Sequence, residues 1–187
     1  MISNIIFSSV PLIFASLGAL FSEYAGILAV FLDGVITFSA FLTFTFCCST
    51  GNIIISILIS TVICTALIMM FAWFTEKFNL NPFLSATAIN LIFSSLTSLF
   101  SSLIFQTRGV LVSSDFSFSY ESVKWGWISA CVIILVLSLL FLFFTPHGLY
   151  LRITGSDSDV LVVKGISSSH CRIYAWGLSA LCAAMAG

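Results

Sequence analysis

Apolar runs, each about long enough to cross a bilayer, follow one another along this chain with short polar breaks between them. A helix needs about 20 such residues to span the hydrocarbon core. Five full spans meet that length, near Ile5–Phe21, Gly26–Cys48, Ile53–Phe74, Pro82–Phe105 and Trp125–Phe144. The second is interrupted by Asp33-Gly34, and the fourth is rich in Ser and Thr. A sixth starts near Ile173, in "IYAWGLSALCAAMAG", and is cut off by the end of the sequence. The runs lack the alternation of a barrel strand, so they predict helices, whose backbone groups are satisfied internally in lipid. Ser179, Ala183, Ala184 and Gly187 offer small side chains for close helix packing. The expected fold is all-α: a polytopic transmembrane helix bundle of about five full spans plus the start of a sixth. It forms a single domain over 1–187, incomplete at its C-terminus, with a loop at 145–172.

Composition removes the alternatives. The chain is 60% hydrophobic and 7% charged, where a soluble domain carries about 25% charged residues. A net charge of −1 provides no basic patch, which argues against a nucleic-acid partner. The six cysteines show no zinc-type spacing and mostly sit inside apolar runs, as small hydrophobes do. No Lys or Arg precedes the first apolar run, so it reads as a retained membrane helix rather than a signal peptide.

The charges sharpen the topology. Of six Lys and Arg and seven Asp and Glu, Arg152, Asp157, Asp159, Lys164 and Arg172 all fall between Thr145 and Arg172. With loops alternating between sides, Lys77 shares a side with Arg152, Lys164 and Arg172, while Arg108 and Lys124 lie opposite. The basic excess places the 145–172 loop in the cytoplasm and the N-terminus outside. Within that loop, "TGSDSDVLVVKGI" reads as a short helix. Ser156 or Ser158 caps it, Asp157 and Asp159 lie near its positive end, Lys164 sits in its last turn and Gly165 just past it. Val160, Leu161 and Val163 then become exposed apolar groups that the rest of the protein or a partner groove should cover. The β-branched valines leave a strand open as the other reading.

A few residues stand out within the apolar spans. Asp33 is ionisable in an apolar run, where a mid-bilayer charge costs about 2.5–3.5 kcal/mol on insertion scales. It either faces a pathway or lies near the interface, and Asp33-Gly34 is a candidate helix break. Asn90 either makes an interhelical hydrogen bond or contacts a solute. Glu23 reads as a solvated turn residue. Trp73, Trp125, Trp127 and Trp176 lie near span ends, as interfacial anchors do. His147 and His170 lie far apart in sequence without a carboxylate triad, and are assigned no chemistry. A membrane-embedded enzyme would need clustered His, Asp or Glu at membrane depth, and only Asp33 is there.

Three stretches, in order, resemble the permeases of bacterial ABC importers for simple sugars, nucleosides and branched-chain amino acids. Gly148, Leu149, Leu151, Arg152, Gly155, Gly165, Ile166 and Ala186-Gly187 match that family's pattern G-L-x-L-R-x-x-G-x-x-x-x-A-A-x-x-x-G-I and the small-residue end of the following helix, with Val160-Leu161 in place of Ala-Ala. "GALFSEYAGILAVFLDG" is similar to a segment with Gly18, Glu23, Gly26 and Gly34 in place. There Asp33 stands for a Glu, Ala29 for an Asn and Phe31 for a Gly. Asn81 and Asn90 fall in place in a third segment, which points to the nucleoside branch or its sugar and vitamin relatives.

The resemblance implies a multi-pass subunit of the bacterial inner membrane that moves a small polar solute, a nucleoside, a simple sugar or a vitamin such as riboflavin, by alternating access. Gly155, Asp159, Val160, Leu161, Val163, Lys164 and Gly165 would form the coupling loop, docked on a separate ATPase that holds ATP and Mg, and Asp33 and Asn90 would lie on the solute pathway. Implied partners are the ABC ATPase subunits, a second permease subunit (identical or not), an extracytoplasmic substrate-binding lipoprotein and the bilayer. The chain lacks a GxxxxGK[ST] loop and needs no cofactor of its own. Family members continue for roughly another third, so a truncated, transport-inactive remnant or a membrane scaffold is the alternative expectation.

Overall fold

The computed structural model describes residues 2–106 and 120–187 and, within these, the side chains other than those of 2–4, 120–124, 158, 159 and 162. Arg108 lies outside the described residues, as do the side chains of Lys124 and Asp159. The elements are α1 (Ile2–Tyr24), a 3-10 turn (Ala29–Phe31), α2 (Leu32–Thr50), α3 (Ile53–Lys77), α4 (Pro82–Ile104), α5 (Tyr120–Phe144), α6 (Pro146–Ser156), α7 (Ser158–Val163) and α8 (Ser168–Ala186). Five of them, α1 to α5, are long and apolar enough to cross a membrane. No strand occurs among the described residues.

Local chemistry sets most of the helix ends. Asn52 and Asn81 cap α3 and α4, their side-chain oxygens accepting from the backbone N–H of Ile54 at 3.1 Å and of Phe83 at 3.0 Å. Pro82 and Pro146 occupy first-turn positions, where their missing N–H costs nothing. Thr145 caps α6 by accepting from Gly148 N–H at 3.2 Å. Gly148 lets α6 fold back tightly on α5: a Cβ there would meet Leu142 Cα at 2.6 Å. Gly51 closes α2 in the left-handed region, at φ 65°.

The core forms around α8, which packs chiefly against α1 and α3 and also against α2. Its small face works as expected. Ser179 donates a hydrogen bond to the Gly18 carbonyl at 2.7 Å, and a Cβ on Gly18 would stand 3.0 Å from the Ser179 carbonyl. Gly187 lies directly against Ile36 and Ser39 of α2. Lipid is as apolar as leucine, so intimate backbone approach and polar contacts, not burial alone, bind such helices. The helix begins at Ser168 rather than near Ile173, because its polar first turn carries no hydropathy signal.

Two expectations for single elements are corrected. The interruption in the second span is not at Asp33-Gly34, which lie in the first turns of an unbroken α2. It lies upstream, where Gly26 is left-handed (φ 75°), Leu28 is extended and Ala29–Phe31 form the 3-10 turn. Phe31 and Leu32 then continue in helical geometry. Trp176 is not an interfacial anchor. It is fully buried and stacked on Phe31, ring centroids 4.6 Å apart and 21° from parallel. Trp73 and Trp125 are exposed, as anchors are.

Candidate functional site

Two groups of residues carry chemistry, at different depths. The inner one lies where α2 crosses α4. Gly34 has no side chain, and α4 fills the space: a Cβ there would lie 2.7 Å from Asn90 Oδ1 and 2.8 Å from the Asn90 carbonyl. Asn90 is eight residues past Pro82, about 12 Å along α4 at 1.5 Å per residue. The contact is therefore well inside the bundle. Asp33, one residue from Gly34, is exposed, and no described side chain gives its carboxylate a hydrogen bond or ion pair. The fold thus brings Gly34, the neighbour of Asp33, and Asn90, distant in sequence, to one crossing.

Asn90 does not make the interhelical hydrogen bond its position suggested. Its Oδ1 is buried and without a partner among the described residues. An amide oxygen held from water without a partner costs about 1–3 kcal/mol. Farther along α4, Ser94, Ser95 and Ser98 are exposed. On α2 the exposed Thr37 donates back to the carbonyls of Asp33 and Gly34 at 3.1 and 3.0 Å. The hydroxyls of Thr37, Ser94, Ser95 and Ser98 could not be assigned to a surface from residue order alone.

The outer group lies at one end of the bundle. Gly155 of α6 rests on the turn after α1, against the Tyr24 carbonyl, where a Cβ would also stand 2.9 Å from Gly26 N. The Arg152 guanidinium lies over the Tyr24 ring at 5.9 Å and the Phe143 ring at 5.2 Å. At the α8 start, Arg172 Nη1 is 3.8 Å from Glu76 Oε1 at the end of α3, and Lys77 lies over Trp73 at 4.4 Å. These contacts join the α1–α2 turn, the end of α3, α6 and the start of α8 at the same end. That is the sidedness read from Lys77, Arg152 and Arg172. Glu23, Tyr24, Leu149, Arg152, Ile153 and Gly155 line an open groove of about 500 Å³ there.

The "VLVV" run is the six-residue helix α7, not a strand. Gly165 (φ 74°) turns the chain beyond it, and Lys164 and Ile166 both donate to the Leu161 carbonyl, at 3.1 and 3.0 Å. Its apolar residues divide. Val163 is 89% and Val160 42% exposed, but Leu161 is wholly buried. Leu161 therefore anchors α7 to its own chain and is not open to a partner, and Gly155 contacts the α1–α2 turn. Val160, Val163, Lys164 and Gly165 remain outward. Sequence reasoning saw four adjacent apolar residues but not which way a two-turn helix would roll.

No solved structure matches the chain. A nucleoside ABC transporter permease protein, NupC, from Lactococcus lactis subsp. cremoris (strain MG1363), is 25% identical over 189 residues. The match covers 89% of this chain and 59% of that protein, so the chain spans less than two thirds of the relative's length. The family model described as branched-chain amino acid transport system / permease component matches residues 1–187. With five helices able to cross a membrane, this chain is a multi-pass protein of the bacterial inner (cytoplasmic) membrane and belongs to the family of permease components of branched-chain amino acid transport systems.

Proposed function

We propose that the chain acts as the membrane-spanning permease of an ATP-driven ABC importer, moving a small polar solute past Asp33 and Asn90 by alternating access. The carrying observation is the α2–α4 crossing, where the buried amide oxygen of Asn90 packs on Gly34, one residue from the exposed Asp33, in helices otherwise built for lipid. Acceptors of this kind suit the hydroxyl and N–H donors of a nucleoside or simple sugar. A nucleoside is the leading solute, on the resemblance of the relative named for nucleoside transport; a simple sugar or a vitamin such as riboflavin shares the same donor chemistry.

The energy comes from a partner. Exposed Val160 and Val163, with Lys164 beside them, form the face that α7 offers to an ATPase subunit carrying ATP and Mg. A second permease subunit would complete the pathway, and an extracytoplasmic lipoprotein would deliver solute. The chain performs no reaction of its own.

The test is uptake in cells expressing the permease with its ATPase and binding protein. Asp33→Asn, which removes the charge and keeps the shape, should cut nucleoside uptake at least about tenfold, the order of one lost charge-assisted hydrogen bond, at unchanged protein level. Val163→Cys should crosslink to the ATPase subunit, and Leu161→Cys should not. Undiminished uptake by Asp33→Asn overturns the pathway role. Labelling of Val163→Cys from outside the cell overturns the orientation.

A further inference from the structure

Between the outer group and the α2–α4 crossing runs one short segment, Tyr24 to Phe31, and it is gripped at both ends. At the outer end α1 finishes in a glycine-closed cap. Gly26 N–H donates to the Glu23 carbonyl at 2.9 Å, and Ile27 N–H to the Ser22 carbonyl at 3.0 Å. This is the paired bonding that ends a helix on a left-handed residue. Ser22, itself fully buried, donates its hydroxyl to the Ile27 carbonyl at 2.8 Å and locks the turn from inside. Gly155 of α6 lies on this turn backbone to backbone, a contact with no soft side chain to absorb movement. At the inner end Phe31 stacks on Trp176 of α8, both fully buried. The indole Nε1 of Trp176 has no hydrogen-bond partner among the described residues, so ring stacking and packing hold it there. Two residues beyond Phe31 begin Asp33 and Gly34, and Gly34 bears on Asn90.

The two grips belong to the helices on either side of α7: α6 enters it and α8 leaves it. We infer that Tyr24–Phe31 is the element through which displacement of α7 reaches the α2–α4 crossing, with Gly155 and Trp176 as its positioning residues. A push on α7 bears on the Tyr24–Gly26 turn through Gly155 and on Phe31 through Trp176. The hydrogen bonds of the turn run to Ser22 and Glu23, so a push on the turn carries the end of α1 with it. Beyond Tyr24 the segment is not α-helical, with Gly26 left-handed, Leu28 extended and Ala29–Phe31 in a 3-10 turn, so it can change its angle without breaking α2. Coupling needs a continuous packed route with two arrangements, and this route has no gap wider than a van der Waals contact between Gly155 and Tyr24 or between Phe31 and Trp176. The inference rests on the permease reading.

The experiment uses the assembled transporter in proteoliposomes, with Thr37→Cys, exposed on α2, as reporter for a membrane-impermeant maleimide. Labelling is compared without nucleotide and after trapping with ATP and vanadate, alongside ATP hydrolysis and uptake. The parent should show a change in labelling of about fivefold or more, the lower range of allosteric coupling. Gly155→Ala should abolish that change and uptake while ATP hydrolysis per assembled complex persists. If Gly155→Ala does not accumulate, two glycines inserted between Leu28 and Ala29 slacken the segment and leave both grips in place, with the same result expected. Trp176→Phe should keep coupling, because it preserves the stack and orphans no partner, and Trp176→Leu should lose it. Gly126→Ala, at a position with open space around it, is the control. A full labelling change in the Gly155 or glycine-insertion variants, or equal behaviour of the two Trp176 variants, overturns the inference and leaves the permease reading intact. No nucleotide-dependent change in the parent overturns the permease reading, and the inference falls with it.

Discussion

Helices α4 and α8 are both unusually polar for a membrane bundle, yet they occupy opposite places in it. In α8, Ala175, Trp176, Gly177, Ser179, Ala180, Cys182, Ala183 and Ala184 are buried, and the helix is the hub of the fold. In α4 only Ala86, Ile89, Phe93 and Ser101 are buried, while Ser94, Ser95 and Ser98 face outward. The difference teaches that polarity does not assign a helix to core or surface in lipid. Side-chain size does. α8 presents residues small enough for backbones to touch, and its one interhelical hydroxyl finds a carbonyl. α4 adds serines of similar size but interleaves them with Leu91, Ile92 and Leu99, which keep neighbours at a distance and are themselves exposed.

The sharpest way to break this comparison is to exchange the sizes. Ala183→Leu, at a wholly buried position of α8, should destabilise the bundle by about 1–3 kcal/mol through overpacking, and Ser98→Leu on α4 should be neutral. Unfolding of the purified protein by SDS in mixed micelles measures both; equal effects would sink the size argument. A smaller loss of about 1–2 kcal/mol is expected from Gly34→Ala, since the new methyl would meet Asn90 backbone atoms at 2.8 and 3.0 Å and helix backbone cannot yield as a flexible side chain does. The smallest effect belongs to Ser179→Ala, which removes the bond to the Gly18 carbonyl. Such bonds average about 0.6 kcal/mol in membranes, and the same unfolding assay should resolve that loss against Ser95→Ala as an exposed reference.

Much of this architecture was legible in the sequence. Continuous apolar runs located all five spans, because length and hydropathy are what a bilayer selects. Gly165 past "VLVV" marked the end of the short helix α7 at a left-handed turn, but Ser156 ends α6, Ser158 is the first residue of α7, and Lys164 lies beyond its last turn. What failed was direction around a helix axis. Trp176 has the composition of an anchor and the position of a core residue. Leu161 looks no different from Val160 until α7 rolls it inward. Hydropathy has no contrast between lipid and protein interior, so it cannot see this. The break in the second span was misplaced for a related reason: Asp33-Gly34 resembles a breaker, but a carboxylate in the first turn of a helix favours its positive end. The true break is marked only by Gly26, whose left-handed backbone no pattern of polarity announces. Asp33 and Asn90 were visible as polar residues in apolar spans; the packing of Asn90 on Gly34, the neighbour of Asp33, was not.

The Ser179–Gly18 bond has a consequence for biogenesis. Its partners are separated by 161 positions, an interval a ribosome covers in roughly 10–30 s at usual elongation rates of about 5–20 residues per second. Throughout that time the face of α1 at Gly18 lacks the α8 residues that pack on it, Ser179 and Cys182. Newly made α1 must therefore hold its place in the membrane on its other contacts until α8 is synthesised.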